Sequence, residues 1–101
     1  MDTNTIEFIG DDLAYLQWLH KHPSGYVLNT ERSKNPNYMV LHGAWCQYIN
    51  GQGSSGKPGR FTERDYIKIC STNVQSLRGW VRDHGRPSGS FSSEECYCLS
   101  T

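Results

Sequence analysis

One histidine and four cysteines are the residues of this chain best suited to chemistry: His42, Cys46, Cys70, Cys96 and Cys98. Zinc is held by four thiolate or imidazole ligands, usually as two close pairs that the fold brings together. His42-x-x-x-Cys46 is one such pair, and it straddles Gly43, a break that would turn two ligands toward one ion. Cys96-x-Cys98 is the second, because residues two apart in extended chain share a face. Together they predict a structural zinc site of His42, Cys46, Cys96 and Cys98, with Cys70 able to replace one ligand. Four ligands close such a site, so it would staple a thin core and leave no open position for catalysis. The competing reading is packing. Free cysteine is among the most buried residue types, which suits Cys70 best, and His42 shares a strand face with Tyr38 and Val40 as a core histidine would.

A second group could bind anions. Ten basic residues balance ten acidic ones, yet the charges are not evenly spread. Residues 1–12 carry Asp2, Glu7, Asp11 and Asp12 with no base, whereas residues 31–64 carry Arg32, Lys34, Lys57, Arg60 and Arg64 against Glu31 and Glu63. Tyr38, Tyr48 and Phe61 lie among these cations. Cations meet phosphates and exposed rings stack on bases, so Arg32, Lys34, Tyr38, Lys57, Arg60 and Arg64 are the candidate nucleic-acid or partner contacts. A neutral total argues the other way, since dedicated nucleic-acid binders usually carry excess base.

Two further motifs fail on their own chemistry. Gly51 to Lys57 reads G-Q-G-S-S-G-K, the front of a P-loop, but Pro58 stands where a Ser or Thr should hold magnesium. Pro58-Gly59 also prevents the helix whose N-terminus would receive the phosphate, so no nucleotide is expected. No nucleophile elbow is present, and His42 with Cys46 is the one Cys/His pair close in sequence.

The elements that must position these groups are legible from periodicity. Asp11 reads as the N-cap of a helix over 12–22, with Tyr15, Trp18, Leu19 and His22 on one face and Leu16 alongside. Pro23-Ser24-Gly25 is a turn. Residues 26–29 and 38–42 read as strands of a hairpin, 46–49 as a short third strand, and 65–71 as the strand richest in β-branched and aromatic residues. Thr72 and Gln75 form a capping box for a second helix, in which Val74, Leu77 and Val81 make the buried stripe, Trp80 and His84 flank it, and Gly85 ends it. The expected architecture is α+β: a small antiparallel sheet of three to four strands flanked by an N-terminal helix and a second helix near the C-terminus. We read residues 1–101 as one domain, with 1–10 and 86–101 loosely ordered. Neither a signal peptide nor a run of about 20 apolar residues is visible, so the expected location is the cytoplasm, without membrane contact, where thiols stay reduced.

Tyr15-Leu16-Gln17-Trp18-Leu19, the run from His22 to Thr30 (HPSGYVLNT), and Tyr38-Met39-Val40-Leu41-His42 with Cys46 resemble a family of small bacterial proteins that has no established activity. The resemblance covers about two-thirds of the chain. It implies an arginine after the histidine, a strand ending in cysteine, and a C-x-x-C near the C-terminus. Here Gly43 follows His42 and the terminal pair is C-x-C, and both departures bear on tetrahedral coordination. The layout is also similar to small zinc modules appended to DNA-processing proteins. Three functions are therefore expected in order. The first is a non-enzymatic binding module that contacts nucleic acid through basic loops, with a structural zinc. The second is a protein-interaction, inhibitor or accessory protein acting on a bacterial or phage partner. The third is a small metal-dependent hydrolase or nuclease.

Overall fold

The computed structural model describes residues 4–46, 49 and 61–94. The elements run β1 (Ile6–Phe8), α1 (Asp12–Lys21), β2 (Tyr26–Glu31), β3 (Met39–Gly43), β4 (Tyr66–Ser71), α2 (Val74–Asp83) and β5 (Ser93–Glu94). The sheet order is β1-β4-β2-β3-β5. All pairings are antiparallel except β3 with β5. The architecture is thus the expected α+β, an antiparallel sheet with an N-terminal and a later helix, plus a short parallel edge.

Alternation along the strands splits the core in two. Val27 and Cys70 face α1, where they meet Phe8, Tyr15, Trp18 and Leu19. Leu28, Leu41, Ile67 and Ile69 point the other way and pack on Leu77, Trp80 and Val81 of α2. The helices therefore cover opposite faces of one sheet. β4 lies between β1 and β2 and is buried on both sides. That position forces Lys68 inside, where its Nζ donates to Phe61 O at 2.6 Å, as a buried charge must find a partner.

Helix α1 begins as expected, with the Asp11 side chain accepting from Ala14 N. Tyr15, Trp18 and Leu19 are its buried face, and Leu16 is on the outer side. After the turn, Gly25 sits against Trp18, and a Cβ there would come within 2.7 Å of the indole.

Four expectations need correction. The cap of α2 is Asn73, whose side chain accepts from Gln75 N, so the Thr72–Gln75 box does not form. Cys46 and Ile49, the described ends of the strand expected over 46–49, do not lie in a strand: Cys46 N donates to Gly43 O in a turn, and Ile49 is helical, its N donating to Cys46 O. Residues 1–10 are not all loose, because Ile6–Phe8 pairs with Cys70, Ile69 and Lys68 as an edge strand. Phe61 is buried at 7% exposure against Tyr15, so it offers no ring to a base.

Candidate functional site: a tyrosine–arginine cleft and the His42–Cys46 pair

Strand β3 ends at Gly43, and the following turn returns the chain so that Cys46 Sγ lies 3.6 Å from His42 Nδ1. Both groups are buried, at 6% and 2% exposure. His42 stands opposite Val27, which in turn stands opposite Cys70, so the three share one row on the α1 face. Gly43 is needed here because the Trp45 ring occupies the space a Cβ would fill, the place where the resemblance implies an arginine.

Cys46 is disulfide-bonded, and its partner lies outside the described residues. Free thiols were expected. A disulfide sulfur carries no hydrogen, so its contact with His42 is a hydrogen bond only with the proton on Nδ1. Nor does it carry the negative charge that makes a thiolate a zinc ligand, so zinc binding at Cys46 requires the reduced chain. Cys96 and Cys98 lie outside the described residues, and among those described no group of three His, Cys, Asp or Glu could hold a metal ion. Cys70 is free, and burial pushes its thiol well above the ordinary range while the Lys68 charge opposes this only in part. It packs as a core residue.

The basic residues divide. Arg32 and Arg64 meet at the end of the β2–β4 pair, where Arg32 Nε donates to Arg64 O and Arg32 Nη2 to Thr62 O, both at 2.8 Å. Two of the five guanidinium donors are thereby used, and the side chain stays exposed. With Glu31, Ser33, Asp65 and Tyr66 they line a cleft of about 500 Å³. Tyr66 is 37% exposed, and the Tyr38 ring lies 5.6 Å from it at 49°. Lys34 does not join them. It reaches to β1, pairing with Glu7 at 3.3 Å. Lys57 and Arg60 lie outside the described residues, as do Tyr48 and the Gly51–Lys57 motif.

The cleft wall is fixed by a clasp. Asp12 Oδ1 accepts from Thr62 N at 2.6 Å and from Thr62 Oγ1 at 2.7 Å, and Oδ2 accepts from Phe61 N at 3.2 Å. Asp11 N donates to Thr62 Oγ1 and Gly10 N to Thr62 O, so the fully buried Thr62 is held from every side. Partial burial raises the Asp12 pKa, but the bonds from Thr62 and Phe61 and the Lys68 charge outweigh it and hold the carboxyl below its ordinary value.

Sequence reasoning missed Tyr66 as a site residue and treated it only as part of a strand. The alternation Tyr66, Lys68, Cys70 was readable and puts all three on the α1 face. That Tyr38 would lie beside Tyr66 was not, because the β2–β4 pairing joins distant segments. Comparison with known proteins brings nothing further: no family model matches the chain, and no curated protein or solved structure matches it.

Proposed function

We propose that this protein is a non-enzymatic binding module for single-stranded nucleic acid, with the strand lying in the cleft between Arg32, Arg64 and the Tyr38–Tyr66 pair. The observation that carries this reading is the junction of two exposed guanidinium groups with two neighbouring tyrosine rings. Arginine neutralises phosphate, and an exposed ring offers a stacking surface to any base. Glu31 and Asp65 line the same cleft, so its net charge is small and affinity rests on stacking as much as on phosphate contacts. Binding of a labelled oligothymidine, followed by fluorescence anisotropy across a salt series, tests it. Tyr66→Ala should weaken binding by about 1–3 kcal/mol, the usual value of one stacked base. No binding by the native protein at low salt sinks the reading.

A second reading has its own observation. Leu13 and Leu16, three apart on α1, are 68% and 36% exposed, and Ile9, in the connection before the helix, is 45% exposed. Apolar groups gathered this way suit a protein-interaction module that covers a partner. Leu13→Asp should abolish recovery of any specific partner while leaving oligonucleotide binding intact. A structural zinc remains part of the first reading for the reduced chain only, held by His42 and Cys46 with Cys96 and Cys98.

A further inference from the structure

The second helix carries Arg78 and Arg82 one turn apart, and Arg86 follows just after its end. Residues four apart on a helix have side chains about 5–6 Å apart at Cβ, so the first two stand as neighbours. All three guanidinium groups converge on one short loop. Arg78 lies 5.1 Å from the Phe91 ring centre and donates to Gly89 O at 3.4 Å. Arg82 lies against Gly89, where a Cβ would come within 2.8 Å of its Nη2. Arg86 Nε donates to Ser90 O, and its Nη1 donates to Pro36 O at 2.7 Å. Ser88 and Ser90 add two exposed hydroxyls, 2.7 Å apart.

Among the described residues no carboxylate pairs with this cluster, although Asp83 is adjacent in sequence. Arg82 is exposed and donates no hydrogen bond among the described residues. Three like charges gathered on Gly89, Ser90 and Phe91 repel one another, and an anion placed between them removes that cost. Their position gives the cluster meaning. Arg86 binds Pro36, and Gly85 packs on the same proline, in the β2–β3 connection that also delivers Tyr38 to the cleft. The arginine ridge and the cleft therefore meet at one end of the sheet, on either side of that connection.

We propose that Arg78, Arg82 and Arg86 form a second phosphate-binding segment for the same nucleic-acid strand, extending its path from the tyrosine cleft over Pro36 onto α2. The proposal rests on the nucleic-acid reading of the cleft and adds the direction in which the strand leaves it. A short strand fills the cleft alone, and a longer one reaches the ridge.

The test is a salt series with two oligothymidines, one of about 4 and one of about 15 nucleotides, within the usual site sizes of single-strand binders. Each single-strand phosphate contact contributes about 0.7 to the slope of log K against log salt. For the long strand, Arg78→Gln with Arg82→Gln should lower that slope by about 1.4, with the short strand unaffected. Arg82→Gln alone, at an exposed side chain, should lower it by about 0.7 and serves if the double variant is unstable. An unchanged slope for the long strand overturns the proposal, while continued weakening by Tyr66→Ala shows that the cleft reading survives. Absence of salt-dependent binding by the native protein overturns both.

Discussion

The Cys46 sulfur lies 3.6 Å from His42 Nδ1 and is held in a disulfide, so two chemistries compete for one atom. Disulfide formation removes the thiolate that zinc needs, and zinc in turn would protect the thiolate from oxidation. Zinc uptake at this pair is therefore expected only after reduction, which a chromogenic zinc-release assay on oxidised and reduced protein would check. Opening the disulfide should also cost stability. Cys46→Ser is expected to lower the unfolding free energy by about 2–4 kcal/mol in the absence of metal, measured by chemical denaturation. An equal stability for the native and Ser proteins under oxidising conditions would contradict the disulfide. Cys70 is a different kind of cysteine. Its buried thiol stays protonated at neutral pH and should resist alkylation until the chain unfolds.

Among the elements, α2 carries the sharpest local signals and the clearest misreading. Thr72 and Gln75 have the spacing of a capping box, but Asn73 takes the cap because its side chain reaches Gln75 N at 2.8 Å. A T-x-x-Q pattern and an adjacent asparagine offer two starts one residue apart, and the exit of β4 at Ser71 selects the later one. Asn73→Ala should cost about 1 kcal/mol, whereas Thr72→Ala should be nearly neutral, as read from thermal unfolding. At the other end Gly85 has φ +107°, and any Cβ there would also come within 2.9 Å of Pro36. The expected left-handed glycine is thus also the contact that docks α2 on the β2–β3 connection.

Across the whole molecule, two carboxylates tie the N-terminal segment to distant parts of the chain. Asp12 holds Thr62, and Glu7 accepts from Trp80 Nε1 at 2.9 Å while pairing with Lys34. Partial burial raises the Glu7 pKa, but the bonds from Trp80 and Lys34 and the charges of Lys34 and His84 outweigh it, so its folded pKa is lowered. The Asp12 pKa is lowered too. A carboxyl depressed on folding contributes stability above its unfolded pKa, about 3.9 for Asp and 4.3 for Glu, and loses it as pH falls through the folded value. The melting temperature should therefore drop below about pH 4, and less steeply in Asp12→Asn and Glu7→Gln. Both groups are only partly buried, so added salt should shrink the effect. A flat profile in the native protein would show that neither carboxylate is coupled to folding.

Local sequence by itself determined both helices, the β2–β3 hairpin and β4, because apolar periodicity and caps act within a few residues. It also paired His42 with Cys46, since four residues around a glycine turn leave little freedom. Only the tertiary structure decided the strand order, because insertion of β4 between β1 and β2 depends on paired residues 35 to 64 positions apart, from Glu31↔Tyr66 to Ile6↔Cys70. That order sent the basic residues to different places. Lys34 went to Glu7, and Arg32 with Arg64 went to the tyrosine cleft. The i, i+4 spacing of Arg78 and Arg82 was plain in the sequence. That their charges would gather on one loop, with no ion pair among the described residues, was not, because ion pairing is settled by whatever the fold brings near.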